Sequence, residues 1–379
     1  MSPTKIDVAI VGAGIVGLSA AFELCRAGVR VIVFDRQKPG LESSWAAAGM
    51  LAPGPDSPQG EALVPLARES SVIYPQFVSL VEEASGLSTS FAQEGTLEVF
   101  SAPAGEFARD EFVAQHQRHG LVAEAISKEL AHEMEPSLSA DRVSVAWLPQ
   151  EATIDPRRLL DALVSAAKTR GAQIHANCEV SSLLYESRRC AGVIAAGERI
   201  AARNVLLAAG CFSGALDDGI ARYAPTCPVR GQMIALRHAD VRLTRVLRSE
   251  YGYLVPRSDG RIIAGSTLEH SGFTKAVTPA GVQKILSAAL ELVPALGDAQ
   301  ILETWSGLRP GTPDDIPILG PTDVEGLLVA TGHYRNGILL APVTAKLVRE
   351  WITTGKTNLD VAAFSPLRFQ SSASYVQKL

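Results

Sequence analysis

The sequence predicts an α/β fold, α+β over the whole chain, in which a parallel sheet flanked by helices carries a second, mostly antiparallel sheet. Three observations predict it. Near the N-terminus a short apolar run ends in closely spaced glycines and passes into a helical pattern. Apolar runs ending in glycine recur at 204–210 and 326–332, the latter followed by a long helical pattern. Between them, 94–100, 227–237, 250–256 and 261–267 have strand character. Strands interleaved with helices favour parallel pairing, whereas successive strands without helices favour antiparallel pairing.

The first element, 6–11, is the strand Ile-Asp-Val-Ala-Ile-Val, bounded directly by Gly12. Gly12-Ala13-Gly14-Ile15-Val16-Gly17 then gives G-x-G-x-x-G, and a helical pattern continues to Cys25 before Gly28 stops it. Val29 to Phe34 is a second strand, ending at Asp35, 18 residues after Gly17. This is a Rossmann dinucleotide fingerprint. Gly12 makes the tight turn, Gly14 lets backbone approach a pyrophosphate, and Gly17 lets the helix pack on its strand. The pyrophosphate belongs at the helix N-terminus, where N–H groups and the dipole favour an anion. Asp35 is placed to accept a ribose 2′-hydroxyl. The fingerprint alone leaves NAD and FAD both open. The absence of a second G-x-G-x-x-G argues against a pyridine-nucleotide-dependent flavin reductase, and the far C-terminal glycine motif is foreign to a simple NAD dehydrogenase.

From Gly40 to Pro58 the chain is rich in Gly, Ser, Ala and Pro, a composition able to press backbone against a flat ligand. Helical patterns follow at 61–86 and 105–136, on either side of the strand at 94–100. Asp155-Pro156 opens another helix, with aspartate as cap and proline in the first turn. Glu151 and Asp155 have the spacing of a carboxylate pair, but the cap already accounts for Asp155. Strands are expected at 173–176, 179–185, 189–195 and 204–210, and a helix at 278–293. Thr331 to Gly337 forms the turn between the buried strand at 326–330 and the helix at 338–351. The expected division is a discontinuous nucleotide-binding domain (1–88, 148–227 and 302–379) and a substrate domain (89–147 and 228–301) with helices on both faces of the first sheet.

The length of 379 residues fits about two domains. With 47% hydrophobic and 20% charged residues a sizeable core is expected and disorder is not. A formal charge of −5 without a basic run gives no footprint for nucleic acid or an anionic membrane. The five cysteines (Cys25, Cys178, Cys190, Cys211, Cys227) form no CxxC and no metal-like spacing, as expected for free thiols in a reducing compartment. Lys5 and the apolar stretch from Val8 to Phe22 mimic a signal peptide, but the stretch is too short and glycine-rich to span a bilayer. A cytoplasmic location is expected.

Five stretches carry a more specific resemblance: Ser44-Trp45-Ala46-Ala47-Ala48-Gly49-Met50, Val229-Arg230-Gly231-Gln232-Met233, Gly252-Tyr253-Leu254-Val255-Pro256-Arg257, Trp305-Ser306-Gly307-Leu308-Arg309-Pro310-Gly311-Thr312 and Gly332-His333-Tyr334-Arg335-Asn336-Gly337-Ile338-Leu339. With them the chain resembles, from Val8 to about Phe364, the D-amino-acid oxidase-like FAD-dependent oxidoreductases, and among these the bacterial glycine oxidases of thiamine biosynthesis. The resemblance implies that Arg309 binds a substrate carboxylate, that Tyr253 stands on a strand above the flavin, and that Arg335 is a second cation beside flavin and substrate. Met50 would line the pocket, Val180 would lie near the adenine, and the turn from His333 through Tyr334, Arg335, Asn336, Gly337 and Ile338 to Leu339 would touch the isoalloxazine through backbone N–H groups. Further cofactor contacts are expected at Ile15, Arg36, Ser43, Ser44, Ala48, Gly49 and Gly210. The family often has methionine where this chain has Leu268, and position 251, here tyrosine, varies; both bear on substrate size.

The chemistry implied is oxidation of glycine, and of sarcosine, N-alkyl glycines or small D-amino acids, to a 2-oxo acid, ammonia and hydrogen peroxide. The partners would be a small amino acid and O2, in a homodimer or homotetramer. Related sarcosine oxidases attach FAD through a cysteine in the C-terminal half; none occurs here after Cys227, so noncovalent FAD is expected. Two alternatives remain open: a D-amino-acid or N-alkyl-glycine dehydrogenase feeding a quinone or carrier, and a non-catalytic flavin-binding redox sensor. Arg309 and Tyr253 together argue against the sensor.

Overall fold

The computed structural model describes residues 6–55, 59–101, 105–139, 143–217 and 219–370. Lys5, Pro58 and the extreme ends of the expected nucleotide domain lie outside them.

The first sheet is built on parallel pairing. In space its strands run Gln173–His175, Val31–Phe34, Ile6–Val11, Glu198–Leu207, Leu327–Thr331 and, antiparallel at the edge, Ile318–Pro321. The central strands are apolar on both faces, as a doubly covered sheet requires. Val8 and Ile10 face one core, shared with the helices Ile15–Arg26, Val64–Ser85, Pro156–Thr169 and Gly337–Thr354. Ile6, Ala9 and Val11 face the other. That second face departs from the sequence expectation. An antiparallel ribbon of Val180–Glu186 and Arg189–Ala195 covers it in place of helices, burying Val180, Leu183, Val193 and Ala195.

The second sheet has eight strands in the order Gln300–Gly311, Cys227–Arg237, Ile262–Gly265, Tyr253–Pro256, Val246–Arg248, Thr96–Ser101, Val143–Leu148 and Glu124–Ile126. Every neighbouring pair is antiparallel except Val246–Arg248 with Thr96–Ser101. Side chains alternate along Cys227–Arg237. Ile234 and Leu236 pack with Ile285, Ala289 and Leu292 of the helix Pro279–Leu292. Met233 and Ala235 point the other way, into a cluster with Ala46, Ala48 and Trp305. The sheet therefore turns one face towards the 43–50 segment of the first domain.

The strand Gln300–Gly311 belongs to the second sheet, pairing with Cys227–Arg237 from Arg237↔Gln300 to Cys227↔Gly311. Residues 105–136 are largely helical, as expected, in the helices Gly105–Arg118 and Lys128–Met134, which enclose the short strand Glu124–Ile126. Asp155 caps its helix as expected, accepting the N–H groups of Arg157 and Arg158.

Candidate active site

The two sheets enclose a cleft of about 630 Å³. One end is formed by the glycine turn. Gly12 has φ +104°, and a Cβ there would lie 2.5 Å from the Ala208 carbonyl oxygen. At Gly17 a Cβ would come within 2.0 Å of the Gly12 oxygen. Gly14 is different, since its Cβ would meet only Ser44 Oγ, at 3.2 Å, so bare backbone is turned to the cleft. Gly14 gives the helix Ile15–Arg26 no side-chain cap; instead the Ile15 N–H donates to Ser44 Oγ at 3.0 Å.

Asp35 closes this end. Its two oxygens accept the N–H groups of Ala13 (2.8 Å) and Gln37 (2.9 Å), which fixes the carboxylate against the turn. Burial raises its pKa, and those two hydrogen bonds oppose the rise. Next to it the Arg36 guanidinium lies 3.5 Å from the centroid of the Phe212 ring and pairs with Glu42 at 2.8 Å. Ser43, Val180 and Gly210 complete the wall.

At the other end stands Arg309, half-buried on the edge strand. The opposing residue in register with its neighbour is glycine: Gly231 faces Gly307, and a Cβ at Gly231 would sit 2.4 Å from the Arg309 guanidinium. The missing side chain is what lets Arg309 lie flat across the sheet. Its Nη1 donates to the Thr267 carbonyl at 3.1 Å and its Nη2 to Ser266 Oγ at 2.7 Å. No carboxylate pairs with it among the described residues. Burial lowers its pKa, Tyr253 opposes that change, and nearby Arg335 adds to it. The Tyr253 hydroxyl donates to Met233 Sδ at 3.3 Å.

Between the ends lie Ala48, Gly49 and Met50 on one side and the turn His333, Tyr334, Arg335 on the other. The helix Gly337–Thr354 begins beside them, with Gly337 and Ile338 in the wall and no side-chain cap on its first N–H groups. Its start is clamped from behind, where Tyr74 Oη donates to the Ile338 carbonyl and Ser70 Oγ to that of Leu339. Gly17, Asn336 and Leu339 are set back from the cleft. Gly17 packs against its own turn, the Asn336 N–H is used by the His333 carbonyl, and the Leu339 side chain is in the core. Tyr251 and Leu268 are half-exposed and are not in the wall.

Sequence reasoning missed the scaffold of the 44–50 segment. Arg157 pairs with Glu303 through two hydrogen bonds (2.9 and 3.0 Å) while its guanidinium lies 3.5 Å from the Trp45 ring and 4.8 Å from that of Trp305. Trp305 Nε1 donates to the Ala46 carbonyl at 3.1 Å, and Arg257 Nη2 to that of Ala48 at 2.6 Å. Glu151 is engaged not by Asp155 but by Arg248, at 3.1 Å through two hydrogen bonds. Arginine and tryptophan in the quoted motifs were the available signal; their partners are far away in sequence.

His333 is buried, its Nε2 3.0 Å from Thr344 Oγ1, and desolvation pushes its pKa down to about 4. The unfolded chain takes up that proton near pH 6.5. Stability is therefore lost as pH falls from about 6.5 towards 4. His333→Gln should remove this dependence, so that between pH 7 and pH 5 the variant loses about 2 kcal/mol less than the parent in denaturant melts. Equal acid sensitivity of the two proteins would show that the imidazole is not held neutral.

Comparison with known proteins agrees with this geometry. Residues 7–351 match the family described as FAD dependent oxidoreductase. The chain belongs to that family. It is 34% identical over 361 residues to a glycine oxidase of Pseudomonas aeruginosa, covering 95% of this chain and 98% of the relative. It is 37% identical over 373 residues to a bifunctional protein ThiO/ThiG of Trichormus variabilis, covering 97% of this chain. The chain spans about half of that relative, 56% of its length. Its fold superposes on the crystal structure of glycine oxidase from Geobacillus kaustophilus with a TM-score of 0.91 and 31% identity, covering 96% and 99% of the two chains.

The cleft fits the family's cofactor. Bare backbone at Gly14, an N-terminal helix end, the fixed Asp35 carboxylate and the uncapped helix at Gly337 are what a pyrophosphate, a ribose and the polar edge of a flavin require. No helix among the described residues is long and apolar enough to cross a membrane.

Proposed function

We propose that this oxidoreductase oxidises glycine, or a similarly small amine carrying a carboxylate, to the imine that water hydrolyses to a 2-oxo acid and ammonia. The observation that carries this is Arg309: a half-buried guanidinium at the cleft, oriented by a neutral carbonyl and a hydroxyl, with no carboxylate of its own among the described residues. A planar guanidinium takes a carboxylate through two parallel hydrogen bonds and so fixes the neighbouring Cα as well as the charge. Relatives that carry the name glycine oxidase support the choice of substrate.

Bound FAD supplies the acceptor for the hydride leaving Cα and passes the electron pair on. The chain's own tasks are orientation and charge. Arg309 holds the carboxylate, with Tyr253 and Arg335 beside it. Met50 and the 48–50 backbone close the pocket, and the helix N-terminus at Gly337 favours negative charge on the cofactor edge it faces. Asp35 would accept a ribose hydroxyl, and Ser43, Ser44 and Arg36, which line the same part of the cleft, would help hold the cofactor there.

O2 is the proposed acceptor, so glycine turnover in air should yield hydrogen peroxide equal to the oxygen consumed. Acid should release the flavin intact, since no cysteine follows Cys227 in the sequence. Glycine oxidation that needs an added quinone and forms no peroxide would replace the oxidase by a dehydrogenase. Flavin left on the denatured polypeptide would overturn noncovalent binding.

A further inference from the structure

Arg309 can recognise a carboxylate only if its guanidinium plane is fixed, and the groups that fix it are themselves held by a largely buried network outside the cleft wall. Arg230 and Glu269 form an antiparallel bridge, the N–H of each donating to the carbonyl of the other at 2.9 and 3.0 Å. The Arg230 carbonyl also lies 3.5 Å from Arg309 Nη1. The Glu269 side chain ties the bridge down. One oxygen accepts Nε (2.8 Å) and Nη2 of Arg230, and the other accepts Gln232 Nε2 at 2.6 Å. Gln232 is fully buried; its amide oxygen accepts the Thr278 N–H at 2.8 Å and its backbone N–H donates to Thr267 Oγ1 at 2.9 Å. Thr267 in turn supplies the carbonyl that accepts Arg309.

The consequence is a continuous chain of contacts. Glu269 holds Arg230 and Gln232, Gln232 holds Thr267, and Arg230 and Thr267 present carbonyls to Arg309. We infer that Glu269 is a positioning residue for substrate recognition, setting the plane of the Arg309 guanidinium through Arg230, Gln232 and Thr267 without touching substrate itself. A structural ion pair alone would need only Arg230. The second arm, to Gln232, is what links the carboxylate to the Thr267 carbonyl. Desolvation is the largest single influence and raises the Glu269 carboxyl, but hydrogen bonds from Thr267, Arg230 and Gln232 together outweigh it and hold the group below its usual range, so the carboxylate stays ionised at neutral pH.

This inference rests on the proposal that Arg309 binds the substrate carboxylate, and the test separates the two. Acetate, a carboxylate without an amine, is titrated into FAD-loaded protein and its Kd read from the flavin spectrum; glycine turnover gives KM and kcat. Glu269→Gln should weaken acetate and raise the glycine KM by about tenfold, with kcat within about threefold of the parent, because orientation and not chemistry is lost. In an Arg309→Lys background the same change should alter acetate affinity less than about twofold, as expected when one residue acts through the other. Should Glu269→Gln fail to fold, Gln232→Met cuts the second arm and is expected to weaken acetate severalfold. A lower Tm with unchanged acetate affinity and glycine KM, in whichever variant folds, would overturn the positioning role. Unchanged acetate affinity in Arg309→Lys alone would overturn the carboxylate site beneath it.

Discussion

Arg309→Lys is expected to lower kcat/KM for glycine by roughly ten- to a hundredfold, the worth of about 1.5–3 kcal/mol for a charge-assisted hydrogen bond. Lysine keeps the positive charge but offers a point donor where a two-pronged plane is needed. It also loses the contacts that hold the guanidinium against the Thr267 carbonyl and Ser266 Oγ. The loss should be confined to substrates with a carboxylate; a simple amine lacking one never engaged the arginine. Arg335→Lys should lose less. The flavin spectrum and Tm should stay near the parent's, since the side chain stands in the cleft wall and is only half-buried. Equal impairment of both substrate types would remove Arg309 from the carboxylate site and shift attention to Arg335 and Tyr253.

The glycine turn provides the other large effect. Gly17→Ala places a methyl 2.0 Å from the Gly12 oxygen and 3.3 Å from Ile10 Cγ2, with backbone on one side and a central strand on the other. Neither can give way cheaply, so the helix Ile15–Arg26 must move off its strand at about 3 kcal/mol or more. The expected result is a lower Tm even in FAD-free protein, together with weakened FAD binding as the helix N-terminus shifts. Gly14→Ala is the control. Its methyl would meet only Ser44 Oγ, at 3.2 Å, so FAD-free stability should be close to the parent's while FAD affinity falls. If Gly17→Ala purifies yellow with the parent's Tm, the close packing of turn and helix is not what it holds.

The two ends of the cleft were unequally legible in the sequence. At the cofactor end the strand, glycines, helix, second strand and Asp35 all lie within 6–35, so turn chemistry and spacing fix the geometry locally. The helix cap at Asp155 was readable for the same reason. At the substrate end, Arg309 takes its meaning from Gly231, Ser266 and Thr267, residues brought to it by cross-strand register. Nothing local marks such pairings. The same limit applies to the strand Gln300–Gly311, which reads equally well as either sheet until its partner is known. The strand Val246–Arg248 is three residues long and carries no period of its own. The ribbon covering the first sheet was read as strands, yet its position on the face expected to hold a helix depends on Leu183 and Val193 packing against Ala9 and Val11.

The most direct measurement is anaerobic addition of glycine to the purified, FAD-loaded protein, followed by readmission of air, with sarcosine, D-alanine and methylamine run in parallel. Glycine should bleach the visible flavin band, the colour should return with air, and an equivalent of hydrogen peroxide should appear. Methylamine, which has no carboxylate for Arg309, should bleach the band far more slowly at the same concentration. A flavin that stays oxidised with every carboxylated amine of the series would contradict an amine oxidase built on this cleft and leave a flavin-binding protein without turnover.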